Sequence, residues 1–500
     1  MTSPLDKATG TDVVVVIGAG PVGLAAAAHL SERGLSFRVL EQGDTVGAAI
    51  SQWGHTRLFS PWEFNIDTAA RRLLESHGWI APADDGLPTG HELRESYLEP
   101  LAAIPELASA MSFHTRVIAV SKLGMDKTRT AKRDNTPFIV RVEHSDGNIE
   151  DIYAAAVIDT SGTWSIPNPL GQAGLPAPGE RQAREQGLIT QVLPDILGRD
   201  RERFIGKEVL VVGAGHSAAN SLLELADLAE QYPDTKISWA VRSADVNHVY
   251  GGEDNDELAA RGALGSRLRR LVSSGDIQVH TSTVISSFEA GERLSVHGQN
   301  PDGQQLIEVD LLVPATGFRP DLTILSELRL ELDIAVEAPA ELGPLIDPEF
   351  HSCGSVSPHG ERVLAHPEKN FYIAGMKSYG RAPTFLMATG YEQVRSIVAA
   401  LAGDRAAADA VHLDLPETGV CTTDLGGSCD APAPRPSGAT GSVEEGCCGA
   451  APVESEVAEP AESGCCGGVE PAEPVVSKSA PSGCCTPAPQ MLGLSIPARN

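Results

Sequence analysis

Cysteine is nearly missing from the part of this chain that has the composition of a folded body. Of nine cysteines in 500 residues, only Cys353 precedes position 421; the other eight lie between Cys421 and Cys485. A secreted disulfide scaffold spreads its cysteines through the fold, so that class is excluded. Positive charge is scarce too. Lys and Arg number 38 against 67 Asp and Glu, a formal net charge of −29. Nucleic acid and anionic membrane both ask for a basic surface, so neither is expected as a partner. Long apolar runs are also lacking. The buried-looking segments are strand-length, well short of the roughly 20 residues of a membrane span. The polar start, Met1–Asp12, has no signal-peptide core, and a cytoplasmic protein is the expectation.

What is present is organised around Val13–Val22 and Gly23. An apolar β-branched run stops at Gly18-Ala19-Gly20-Pro21-Val22-Gly23, and small residues (Leu24–Ala28) then open a helix. Gly18 allows the tight turn, Gly20 lets a pyrophosphate approach the backbone, and Gly23 lets helix and strand pack closely. Phosphate oxygens would meet the unpaired amides and positive end of the new helix. The next strand, Phe37–Leu40, ends at Glu41, the expected place for a carboxylate that holds a ribose hydroxyl.

The same device recurs. Glu208–Val212 is a strand, Gly213-Ala214-Gly215-His216-Ser217-Ala218 the turn, and Ala219–Leu228 a helix. Here the second strand, Ile237–Val241, ends in Arg242. An acid at this place suits the free ribose of FAD or NAD, and a base the 2′-phosphate of NADP. Two nucleotide sites of different kinds are therefore expected. The fold class that follows is α/β, with two Rossmann-like dinucleotide-binding domains. Residues 1–165 begin the first, 168–310 form an inserted second, and 311–405 complete the first. The length suits two or three folded units. From about 410 to 500 Pro, Gly, Ala, Ser and Glu dominate, a composition too poor in apolar surface to offset ordering entropy, so a disordered tail is expected.

Two glycine turns, the strand end Ala315-Thr316-Gly317-Phe318 and the closing Gly375 segment resemble the two-dinucleotide-domain flavoproteins. Within them, Leu87–Leu98, Thr115-Arg116-Val117 and Phe204–Lys207 before the second turn are similar to flavin-dependent monooxygenases. The body with its tail resembles the flavoprotein type of bacterial arsenic-resistance gene clusters. Leu193–Gly198 and Arg201–Phe204 stand where the family has a His-bearing fingerprint, a departure that bears on the oxygenating activity. The resemblance implies FAD on Gly18, Gly20, Pro21, Gly23, Glu41, Gln42, Trp53, Val117, Thr160, Gly375 and Met376. It implies NADPH on Gly213, Gly215, His216, Ser217, Ala218 and Arg242. Trp53, with His55, Arg57, Trp62 and Asn65, lies on the loop that the resemblance implies should pass the flavin ring; Trp53, Arg57 and Asn65 are the catalytic candidates. Lys377, Tyr379 and Arg381 are alternatives for stabilising charge or binding an anion.

Disulfide reductases place a Cys pair soon after the first glycine turn or inside the NADPH domain. Val46–Gln52 and 168–310 contain none, so a thiol relay carried by the body is excluded. Three doublets, Cys447-Cys448, Cys465-Cys466 and Cys484-Cys485, lie in the tail. Adjacent cysteines make strained disulfides, while soft thiolates bind thiophilic ions. The spacing is not that of a folded zinc site. About forty residues separate the body from the first doublet, a reach of ~35 Å for flexible chain. The expectation is an NADPH-dependent FAD monooxygenase with a small-molecule substrate, plausibly a trivalent arsenical captured by the tail. A metalloid-delivery protein whose flavin body reduces its tail thiols and a plain NADPH oxidase stay open as alternatives. Oligomeric state is not legible.

Overall fold

The computed structural model describes residues 12–251, 259–348, 358–383 and 385–413. The cysteine doublets, Cys353 and the expected disordered tail lie outside the described residues.

The opening apolar run becomes β1 (Val14–Ile17), buried along its whole length. Small residues follow it into α1 (Pro21–Glu32). Ala25–Ala28 are fully buried there, which lets the helix lie flat on the sheet. Beside β1 run β2 (Phe37–Leu40), β3 (Met111–Ser112), β7 (Ala156–Asp159) and β15 (Phe371–Ile373). Their order is β15-β7-β1-β2-β3, and every pair is parallel. Parallel sheets are covered on both faces. Here α1 and α5 (Met387–Leu401) share one core with Trp62 and Tyr97. On the other face lies an antiparallel sheet of β4 (Thr115–Lys122), β5 (Phe138–His144) and β6 (Ile149–Ala154). Thr68–Ser76 forms helix α2, capped by the Asp67 carboxylate on the Ala70 amide.

The second unit repeats the plan. β8 (Glu208–Val212) leads into α3 (His216–Gln231). The parallel sheet runs β10 (Ile277–His280), β9 (Lys236–Ala240), β8, β14 (Leu311–Pro314). α4 (Ala259–Ser274) packs beside it. A three-stranded antiparallel sheet, β11 (Val284–Ala290), β12 (Leu294–Asn300) and β13 (Gly303–Val309), caps the other face. One boundary shifts. Residue 311 was expected to begin the return to the first unit, but β14 pairs in parallel with β8. The apolar pattern of Leu311–Pro314 specifies a buried strand and not which sheet takes it. The chain recrosses at Ala315–Pro320 instead. There Asn168 donates its amide N–H to the Gly317 carbonyl at 2.8 Å and Thr316 Oγ1 donates to the Asn168 carbonyl at 2.8 Å.

Candidate active site

In the first sheet the strand order turns at β1, between β2 and β7, the crevice where open α/β sheets bind ligands. The first glycine turn closes it. A Cβ on Gly23 would lie 2.0 Å from the Gly18 carbonyl oxygen and 2.8 Å from Thr160 Oγ1, so the helix sits directly on the turn. Thr160 ties β7 to the same turn, donating from its amide (3.0 Å) and its hydroxyl (2.7 Å) to the Ile17 carbonyl. The N-cap of α1 is Gly20, with Pro21 next, no side-chain cap and no acid in the first turn. A Cβ on Gly20 would meet nothing within 4 Å. First-turn amides beside an open space make an anion cradle. Glu41, at the end of β2, is buried and accepts from the Ala19 and Gly43 amides, both at 2.8 Å. Two of a carboxylate's roughly four lone-pair positions are thereby used, leaving room for hydroxyl donors. Gln42 is exposed beside it, and Val117 lies on β4, which begins where the Thr115 amide donates to the Glu41 carbonyl (2.8 Å).

The second turn is built alike. Gly213 has φ +138°, and a Cβ there would strike the Ala315 carbonyl at 2.0 Å. Gly215 caps α3 without a side chain, with open space around it. His216 and Ser217 follow half-buried, then Ala218 is buried. Burial, aided by the Arg261 guanidinium, pushes the His216 imidazole down to about 4. Arg242 stands exposed just past β9. These donor sets fit two dinucleotides, the first with a carboxylate at the ribose position and the second with a guanidinium.

The loop Val46–Ser60 runs between the turns. Trp53 stays half-buried, its ring centroid 6.4 Å from that of Trp164. Trp164 in turn lies 4.8 Å from Phe318 and donates Nε1 to Gln52 Oε1 at 2.9 Å. Burial lowers the His55 imidazole, against the opposing pull of Asp195. Its Nε2 is buried and unpartnered among the described residues. Arg57 points outward. It pairs with Glu92 at 3.6 Å and donates to the Leu87 carbonyl, with 58% of its side chain exposed. Asn65 is fully buried with both amide ends engaged by Ser60, Nδ2 to the carbonyl at 2.6 Å and Oδ1 from the hydroxyl at 2.8 Å. Arg57 and Asn65 thus join the loop's outer surface and its anchor, and Trp53 alone of the three catalytic candidates stays with the aromatic cluster. Trp62 packs in the core.

The Gly375 segment holds a different device from the one expected. Lys377 is 1% exposed and donates to Asp159 Oδ2 at 2.7 Å and Ser161 Oγ at 3.1 Å. Its charge is matched inside the protein, so it is not free for an anion. Tyr379 is buried, and burial pushes its phenol up. Arg381 pairs with Glu337 at 2.8 Å. The Gly375 amide donates to Gln393 Oε1 at 2.8 Å, and Met376 beside it is half-buried. Asp159, Gln393, Phe59 and Trp164 were missed as site residues in the sequence, and Phe318 was noted only as part of a strand end. Of the four missed, only Asp159 carried a signal, a carboxylate closing an otherwise apolar strand.

Residues 15–340 match the family model described as pyridine nucleotide-disulphide oxidoreductase. The chain belongs to that family. It is 26% identical over 353 residues to a ferredoxin–NADP reductase of Thermus thermophilus, covering 69% of this chain and 84% of that protein. It is 28% identical over 223 residues to the human putative dimethylaniline monooxygenase [N-oxide-forming] 6, covering 44% and 38% respectively. Among solved structures, the bacillithiol disulfide reductase Bdr of Bacillus cereus superposes with a TM-score of 0.57 at 19% identity, covering 79% of this chain and 99% of that one. The FAD-bound cadaverine monooxygenase DfoA of Erwinia amylovora gives 0.54 at 14%, covering 81% and 98%. Those two likenesses show the shared fold. The chain is an enzyme, a flavin-dependent pyridine-nucleotide oxidoreductase. Within the matched span 15–340 it has no cysteine, so the disulphide of the family description has no thiol pair there.

Proposed function

We propose an NADPH-dependent FAD monooxygenase acting on a small thiophilic substrate, with a trivalent arsenical as the first candidate. Its cofactors are FAD and NADPH. FAD belongs on Gly18, Gly20, Pro21 and Gly23, with Glu41 on a ribose and Gln42, Trp53, Val117, Thr160, Gly375 and Met376 around it. NADPH belongs on Gly213, Gly215, His216, Ser217 and Ala218, with Arg242 facing the 2′-phosphate. The observation that carries this reading is the pair of uncapped glycine turns, joined by one aromatic loop, in a span without cysteine. Bound FAD supplies the two-electron chemistry that accepts a hydride from NADPH and passes the electrons on. The chain's own residues bind and orient: helix amides hold phosphates, Glu41 takes hydroxyl protons as hydrogen bonds, and the Trp53–Trp164–Phe318 cluster keeps water from one side of the crevice. With no cysteine pair in the body to receive electrons, oxygen is the acceptor, and the tail doublets Cys447-Cys448, Cys465-Cys466 and Cys484-Cys485 capture the substrate.

The test is oxygen uptake and NADPH oxidation by the whole protein with and without arsenite. Arsenite should be converted to arsenate with one oxygen and one NADPH consumed per product. Changing all six doublet cysteines to serine should raise the KM for arsenite while leaving NADPH oxidation intact. Peroxide release in full proportion to NADPH, unchanged by arsenite, rejects the substrate. The similarity to a ferredoxin–NADP reductase favours a second reading, an external redox protein as acceptor; fast reduction of an added ferredoxin together with slow reaction with oxygen would decide for it.

A further inference from the structure

The loop Val46–Ser60 touches both nucleotide turns. Near its start the Gly47 amide donates to the Ala19 carbonyl at 3.0 Å, inside the turn after β1. Its middle is pinned, the His91 amide donating to the Gly54 carbonyl at 2.8 Å and Trp164 to Gln52 at 2.9 Å. Near its end the Phe59 ring lies 4.8 Å from the His216 imidazole, tilted by 33°. The next residue, Ser60, is clamped to Asn65 through two hydrogen bonds. Phe59 therefore projects from an anchored backbone. His216 is the first residue of α3, immediately after the uncapped Gly215, where helix amides meet a dinucleotide's phosphates.

The contact is between two uncharged rings near neutral pH, because burial and Arg261 keep the imidazole pKa at about 4. Phe59 belongs to none of the hydrophobic core clusters, so truncating it leaves the packed interior alone. The stack is the described ring contact that joins the first unit's loop to the second unit's turn. Hydride transfer is sensitive to such spacing. Reacting atoms must stand about 3–3.5 Å apart, and a remote displacement of about 1 Å costs roughly 100-fold.

We infer that Phe59, through its stack on His216, is a positioning residue that sets the distance between the NADPH turn and the FAD-side loop. It governs the rate of flavin reduction and not the affinity for NADPH. This rests on the assignment of FAD to the first turn and NADPH to the second. The step read is a two-electron transfer in which NADPH loses a hydride to become NADP+ and FAD gains it.

The experiment is anaerobic stopped-flow reduction of FAD-loaded protein across a range of NADPH concentrations. Phe59→Ala should lower the limiting rate by about 10- to 100-fold, with the NADPH Kd changed by less than about threefold. Phe59→Tyr, which keeps the ring, should restore most of the rate. His216→Ala removes the stack from the other side and should lower the limiting rate as well. Combined with Phe59→Ala it should cause little further loss, the signature of one shared interaction. A Phe59→Ala protein with the parent's limiting rate overturns the inference, as does a raised Kd at unchanged rate or full additivity with His216→Ala. A parent protein that NADPH fails to reduce overturns the cofactor assignment itself and the inference with it.

Discussion

Lys377→Met tests the least expected feature of the crevice at β1. The ammonium and the Asp159 carboxylate are 1% and 0% exposed and 2.7 Å apart. Asp159 also accepts from the Ser161 amide at 3.0 Å and its hydroxyl at 2.6 Å. Ser161 follows Thr160, whose carbonyl lies 3.0 Å from a Cβ built on Gly18. Removing the cation leaves a buried carboxylate that two remaining donors only partly satisfy. Breaking one side of a buried pair costs about 3–5 kcal/mol, whereas replacing both partners is often near neutral. Lys377→Met should thus lose about 3–5 kcal/mol of stability, read as a lower denaturant midpoint at unchanged slope. It should also release FAD more readily, because the strand end that abuts the glycine turn loses its tie. Lys377→Met combined with Asp159→Asn should recover most of the midpoint. The reasoning is refuted if the single variant melts like the parent, or if the double variant is as unstable as the single one.

Gly23→Ala places a methyl 2.0 Å from the Gly18 carbonyl and 2.8 Å from Thr160 Oγ1, so it should yield colourless, FAD-poor protein with most of its helix content; a normal flavin spectrum counts against the turn as the FAD site. Arg242→Ala should weaken NADPH binding by about tenfold or more, the worth of a charge-assisted contact, while sparing NADH; equal loss of both rejects its role at the 2′-phosphate. Glu224 on α3 is raised to about 7, first by burial and then by Asp195. A raised carboxyl contributes stability that is present below about pH 4.5 and lost as pH rises through about 7. Glu224→Gln should therefore gain about 2–3 kcal/mol over the parent at pH 8 and little at pH 4.5; equal melting temperatures at pH 8 contradict this.

Much of the fold was legible because the signals were local. The run Val13–Ile17, the glycines after it and the small residues of α1 all point the same way, and Glu208–Ala218 repeats them. Helix limits strayed by a few residues, as with α3 starting at His216 rather than Ala219, since a glycine-capped start has no polar side chain to announce it. The strands β10 to β13 drew no notice in the sequence, and β14 joined the second sheet through pairing that is non-local. The site was half legible. Its glycine turns are written in consecutive residues, whereas Arg57 and Asn65 looked available because partners such as Glu92 and Ser60 are fixed only by loop geometry. Lys377 likewise meets Asp159 from 218 positions away.

The central claim is that electrons pass from NADPH through FAD to oxygen without a body thiol. It is tested most directly by mixing FAD-loaded protein with NADPH under anaerobic conditions, recording flavin bleaching, and then adding oxygen. The account predicts full bleaching by NADPH in preference to NADH. Oxygen should then restore the oxidised spectrum, in protein whose thiols have been alkylated as in untreated protein. Bleaching that fails with NADPH, or reoxidation that is lost on alkylation, would contradict it.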